Sequence, residues 1–151
     1  MPKEIVIVED NPADSKTMCF AIASHDTDVE TTVLDNGAKA LEFFSNAVKR
    51  GQYHPCDLVL LDLNLPLVSG FEVLEYLKTD PILKKLPVLV LSGSSSLQDI
   101  GRCYELGANS YILKPTGIDE LLEMTGSLLT FWFRYAQILT GSKALKATQS
   151  F

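Results

Sequence analysis

Three short stretches of the chain are almost wholly apolar: Ile5-Val6-Ile7-Val8, Leu58-Val59-Leu60-Leu61 and Val88-Leu89-Val90-Leu91. Continuous rather than alternating apolarity at strand length means burial on both faces, as in a parallel sheet covered by helices. Two weaker strand candidates are residues 29–34, rich in β-branched side chains, and residues 109–113. Five strands are therefore predicted.

Between them lie segments of helical length with start and stop signals. Asn11-Pro12-Ala13-Asp14 offers a capping Asn and a Pro at the first helical position, predicting a helix to about Ser24. A second begins near Asn36-Gly37, carries Ala40, Leu41, Phe44 and Val48 on one face, and ends at Gly51. A third follows Gly70, with Val73, Leu74 and Leu77 inward, and stops at Asp80-Pro81. A fourth spans residues 97–106, and a fifth starts near Gly117 and is long and strongly apolar. Strict alternation of strand and helix implies right-handed crossovers and a doubly wound α/β sandwich, with the five-stranded parallel sheet in order 2-1-3-4-5.

The 151 residues suit one compact unit, taken as residues 1–135 with a partly ordered extension over 136–151, its last eleven residues a polar, frayed tail. No apolar run approaches the roughly 18 residues needed to cross a bilayer. The apolar run after Met1-Pro2-Lys3-Glu4 is too short for a secretory signal, so a cytoplasmic, membrane-free protein is expected. Cys19, Cys56 and Cys103 lack metal-ligand spacing and read as reduced thiols. A net charge of −6 argues against a nucleic-acid-binding surface. His25 and His54 are expected in solvated loops.

Ligands of open α/β sheets bind outside the carboxyl ends of the strands. Glu9-Asp10 follows the first strand, Asp62 the third, Ser92-Gly93 the fourth and Lys114-Pro115 the fifth. Each alone is an ordinary loop residue, since acidic groups commonly precede helix N-termini. Together they set three carboxylates, a hydroxyl and an ammonium on one edge. Carboxylates about 4 Å apart repel by roughly 4 kcal/mol at an effective dielectric of 20, so the cluster calls for a cation or a raised pKa. Hard oxygen ligands with room for water suit Mg²⁺, with Mn²⁺ or Ca²⁺ as substitutes. A carboxylate nucleophile, a metal and a lysine are the parts of a phosphoryl-transfer site. There is no phosphate-binding glycine-rich loop, so the phosphoryl group must come from elsewhere.

From Ile5 to about Trp132 the sequence resembles the bacterial response-regulator receiver domains, which share a flavodoxin-like fold with the chemotaxis regulators. The matching pieces are Val8-Glu9-Asp10-Asn11, Leu61-Asp62-Leu63-Asn64-Leu65-Pro66 with Gly70, Leu91-Ser92-Gly93, and Gly107-Ala108-Asn109-Ser110-Tyr111 running into Leu113-Lys114-Pro115. The resemblance implies that Asp62 is the phosphoacceptor for a partner histidine kinase. Asp10 and Asp62 would ligate the metal directly, Glu9 through water, and Asn64 through its main-chain carbonyl. Ser92, Lys114 and the Gly93 N–H would contact the aspartyl phosphate, and Lys114-Pro115 would be a cis peptide. Tyr111 would be the switch aromatic that pairs with Ser92 to reshape the surface of the fourth helix, fifth strand and fifth helix. Leu65 stands where Met is common and Ser92 where Thr is frequent; Asn64 and Ser94 occupy positions that tune hydrolysis.

No DNA-binding or catalytic effector segment follows, which implies a single-domain regulator that acts on an unidentified downstream protein and catalyses only its own phosphorylation and dephosphorylation. In the last helix, Ile118, Leu121, Leu122, Leu128, Leu129 and Trp132 have the spacing for packing on the sheet. Met124, Leu128, Phe131 and Tyr135 add a second apolar stripe. A homodimer built partly from Phe131, Trp132 and Phe133 is expected, the competing arrangement being a tail folded on its own domain. That ending and the long connections over 46–55 and 79–86 resemble the cyanobacterial phytochrome-associated response regulators, which points to a phytochrome kinase as donor. A Mg²⁺-dependent aspartate-nucleophile phosphatase is the main alternative, weakened by Asn64 where such enzymes carry a general-acid Asp. The other is a phosphorylation-independent binding module.

Overall fold

The computed structural model describes residues 2–139. Five strands and five helices alternate: β1 (Lys3–Val8), α1 (Pro12–His25), β2 (Val29–Leu34), α2 (Gly37–Lys49), β3 (Leu58–Leu61), α3 (Gly70–Thr79), β4 (Val88–Ser92), α4 (Leu97–Glu105), β5 (Ser110–Leu113) and α5 (Ile118–Thr130). A 3₁₀ turn, Leu83–Lys85, precedes β4, and a wider π turn, Phe131–Tyr135, follows α5. All strand pairs are parallel, in the order β2-β1-β3-β4-β5.

Side chains of successive strand residues point to opposite faces, and this alternation divides the core in two. Val6, Val8, Val59, Leu61, Val88 and Val90 join Phe44 of α2 and Val73, Leu74 and Leu77 of α3. Ile5, Ile7, Leu58, Leu60, Leu89 and Leu91 join Met18 and Ile22 of α1 and Leu128 and Leu129 of α5. Full burial of each large aliphatic side chain stabilises the fold by about 1.5–3 kcal/mol.

The helices begin where their caps lie. The Asn11 carboxamide accepts from the Ala13 and Asp14 N–H groups, and the Asn36 carboxamide accepts from Lys39 N–H. Ser69 and Glu72 form a reciprocal capping box at α3, and the Ser96 hydroxyl caps α4. None of the helices among the described residues is long and apolar enough to cross a membrane.

Three expectations change. His25 ends α1 and its Nε2–H donates to the Leu122 carbonyl at 2.6 Å, tying α1 to α5. A Cβ at Gly126 would come within 2.9 Å of the His25 ring, so only glycine admits this contact. His54, half-buried, donates through Nε2 to Asp57 at 2.7 Å. Spacing alone could not show these partners, which come from 97 and 3 residues away. In the last helix Ile118 is exposed, because the first turn of α5 lies at the end of the sheet, whereas Trp132 and Phe133 pack on the core shared by α1 and α5. The polar tail expected over 141–151 lies outside the described residues.

Asp57 closes the opposite edge of the sheet. Its side chain accepts from Glu4 N–H at 2.8 Å as well as from His54, and its own N–H donates to the Glu4 carbonyl. Burial works to raise the Asp57 pKa, but the His54 and Glu4 hydrogen bonds and the nearby Lys3 outweigh it and hold it below the usual value of 3.8. A depressed carboxylate contributes stability above its unfolded-state pKa and loses it as pH falls through the folded-state one. Asp57→Asn should therefore lower unfolding free energy by about 1–3 kcal/mol at neutral pH. The gap to wild type, followed by urea unfolding, should close as pH drops below about 4.

Candidate phosphoacceptor site

The side chains that follow β1, β3 and β5 are held by main-chain bonds continuing past the strands. Glu9 N–H donates to Leu34 O at 3.0 Å, Asp62 N–H to Val8 O at 3.0 Å, and Lys114 N–H to Ser92 O at 2.9 Å. Rigid backbone therefore sets the positions of the acids and the lysine, leaving only side-chain rotations free. Gly70 locks the far end of the loop after Asp62. Its N–H donates to Leu63 O, and a Cβ there would lie 2.1 Å from the Asp62 carbonyl oxygen.

Carboxylate oxygens of Glu9, Asp10 and Asp62 lie within 4.8 Å of one another. Lys114 Nζ donates to Glu9 Oε2 at 2.9 Å, to Asp62 Oδ2 at 3.3 Å and to Asp14 Oδ2 at 3.4 Å. Glu9 and Asp62 are buried, while Asp10 and Asp14 are exposed. Burial and repulsion from Asp62 raise the Glu9 pKa even though Lys114 and the Asn11 N–H pull it down. Burial tends to lower the Lys114 pKa, but its carboxylate partners prevail and raise it. One ammonium is thus shared by three carboxylates, and Asp10 adds a fourth negative charge beside them. An excess of hard anionic oxygen, with Glu9, Asp10 and Asp62 within reach of one point, fits a small divalent cation.

The Ser92 side chain is buried, and its Oγ accepts from Ser94 N–H at 3.1 Å. A Cβ at Gly93 would meet no atom within 4 Å, so the space beside it is open. Asn64 is exposed, and its N–H donates to Asp62 Oδ1 at 3.4 Å. Tyr111 is half-buried, with its hydroxyl donating to the Ser94 carbonyl at 2.7 Å. Ser92 and Tyr111 are thus joined through Ser94. Lys114-Pro115 is not cis: there is no cis peptide among the described residues. A bond before proline favours trans by only about 0.5–1 kcal/mol, so residue identity does not decide the isomer.

Two participants escaped the sequence reading. Asp14 was read as part of a helix start, although its place one turn after Asp10 aims it at the same edge. Tyr104, on α4, accepts the outward-facing Tyr111 N–H at 3.1 Å and so caps the sheet's edge strand. No local pattern marks that contact.

Fold and strand-edge cluster together are those of a receiver domain, and the comparisons agree. The response regulator receiver domain family matches residues 5–125, and the chain belongs to that family. It is similar to the response regulator Rcp1 of Synechocystis sp., 37% identical over 134 residues, covering 87% of this chain and 89% of that protein. Among solved structures it resembles the phosphorylated cyanobacterial phytochrome response regulator RcpA, with a TM-score of 0.85 and 35% identity over 93% of this chain and all of that one. It also resembles the Mn²⁺-bound form of Rcp1, with a TM-score of 0.82 and 34% identity over 92% of this chain and all of that one.

Gly70→Ala should destabilise the domain by at least about 2 kcal/mol, because the clashing atoms are main chain and cannot rotate away. Chemical denaturation measures this. A substitution to Ala at Gly93, where space is open, should leave stability nearly unchanged.

Proposed function

We propose that Asp62 accepts a phosphoryl group from a phosphohistidine of a partner kinase, in a reaction requiring Mg²⁺ or Mn²⁺. An Asp62 Oδ attacks phosphorus as the P–N bond to the imidazole breaks, and the leaving nitrogen takes the electron pair and a proton. A divalent ion, when bound, would neutralise phosphoryl oxygens; Glu9, Asp10 and Asp62 would hold it, with the Asn64 carbonyl as a further donor. Lys114, already within 3.3 Å of Asp62, pairs with the anionic product. The Ser92 hydroxyl and Gly93 N–H are the remaining donors. The observation that carries this reading is the convergence of three carboxylates and Lys114 on one strand edge.

Phosphorylation adds charge at that edge and biases an equilibrium between two arrangements of Ser92, Ser94 and Tyr111. Its output surface is formed by α4, β5 and α5. The protein acts in signalling, with no substrate beyond its own phosphorylation and dephosphorylation. The phosphatase alternative is disfavoured by Asn64, which cannot act as a general acid. The likeness to RcpA, a cyanobacterial phytochrome response regulator, supports a phytochrome kinase as donor.

Incubation with acetyl phosphate and Mg²⁺ should add one labile phosphate, seen by intact mass. Asp62→Asn should abolish it, and absence of the adduct on wild type would defeat the proposal. Asp10→Asn should weaken metal affinity by about 10-fold or more, since loss of even an outer partner of a metal ligand costs that much, measured by metal titration.

The homodimer is proposed in revised form. Trp132 and Phe133 are partly used by the domain's own core, while Phe131 and Tyr135 remain 54% and 66% exposed. Those two rings, with the edge of Trp132 stacked against Phe131 at 5.2 Å, form the apolar surface for a second copy. Sedimentation of Phe131→Ala and Tyr135→Ala should show at least about 10-fold weaker association, the scale of an aromatic anchor. Unchanged mass would sink the dimer.

A further inference from the structure

Leu67 breaks two rules at once. It is 96% exposed, and it is the one non-glycine among the described residues with a positive φ, +67°. The left-handed region crowds Cβ against the backbone and suits glycine or asparagine, and full exposure likewise suits a polar side chain. Asparagine would satisfy both demands. The loop gives Leu67 no route to relax. Leu65 N–H donates to Leu63 O, Val68 N–H to Pro66 O, and Gly70 N–H to Leu63 O. The Val68 carbonyl is seated where a Cβ of Gly37, at the start of α2, would otherwise lie. An apolar side chain held outward on a pinned loop has no partner within the described fold that accounts for it.

Its surroundings indicate what covers it. The loop joins Asp62 to α3 on the carboxyl edge of the sheet. Leu97, 85% exposed at the start of α4, and the exposed Leu113 and Ile118 at the end of β5 and the start of α5 occupy the same edge. Four exposed aliphatic residues thus belong to the edge at which Asp62 lies only 5% exposed. Any protein that brings a phosphohistidine within bonding distance of Asp62 must lay its own surface over that edge. A donor as small as acetyl phosphate need not.

We infer that Leu67 is an apolar anchor for the phosphodonor protein, inserting into an apolar part of that protein's surface beside its histidine. This rests on the phosphoacceptor reading of Asp62. Leu67 touches none of the reacting atoms; it contributes docking affinity and thereby donor specificity.

The test compares wild type, Leu67→Asn and Leu67→Met with two donors: acetyl phosphate with Mg²⁺, and the autophosphorylated histidine kinase region of a cyanobacterial phytochrome. Leu67→Asn should keep the acetyl phosphate rate and should not lower the thermal midpoint, because it relieves the backbone conflict. Its transfer from the kinase should fall about tenfold or more in kcat/KM, mainly through KM. Leu67→Met, still apolar, should transfer within about threefold of wild type, as volume-conserving apolar exchanges are well tolerated. Equal kinase transfer to Leu67→Asn and wild type overturns the proposal. So does failure of the wild type to take phosphate from the kinase while accepting it from acetyl phosphate, and so does weaker self-association of Leu67→Asn with transfer unaltered. Failure with acetyl phosphate as well strikes instead at the phosphoacceptor reading.

Discussion

Burial of β1, β3 and β4 on both faces is the constraint from which the rest of the structure follows. Strands apolar on every residue need helices above and below, and parallel order with helical crossovers supplies them. Parallel order also points every strand's carboxyl end to one edge. Residues as distant in sequence as Glu9 and Lys114 thereby become neighbours 2.9 Å apart. The apolar core and the acidic site are two consequences of one arrangement.

The electrostatics of that edge are unbalanced by design of the fold rather than by any one residue. Backbone bonds past the strand ends hold Glu9, Asp62 and Lys114 where they are, so the carboxylates cannot separate to lower their repulsion. Lys114 is shared among Glu9, Asp14 and Asp62 and cannot neutralise all of them. A site with surplus negative charge, fixed geometry and access from solvent is suited to a divalent ion and then to a phosphoryl group. Hydrogen bonds from Ser94 N–H to Ser92 Oγ and from the Tyr111 hydroxyl to the Ser94 carbonyl link that edge to half-buried Tyr111 on β5.

The contacts around the rim follow a different logic. Tyr104 covers an outward N–H of β5, and His25 crosses to α5 through the gap left by Gly126. Both use long side chains to join elements that the sheet alone does not connect. Phe131 and Tyr135, four residues apart, are left outside on the face opposite the one that Leu128, Leu129, Trp132 and Phe133 turn to the core.

The strand runs, the helix starts at Asn11 and Asn36, the alternation that implies the sheet order and the chemical identities of Glu9, Asp10, Asp62, Ser92 and Lys114 are all determined by the sequence. Each depends on local periodicity, capping chemistry or a strand-end position, which near neighbours in the chain decide. Tertiary structure alone decided that Asp14 shares Lys114, that His54 and His25 have partners, that Phe133 turns inward, and that Leu67 stands outward in a left-handed conformation. These depend on where distant backbone segments meet and how far side chains reach between them. No pattern along the chain records such distances, because they arise only when the sheet closes and the loops are pinned.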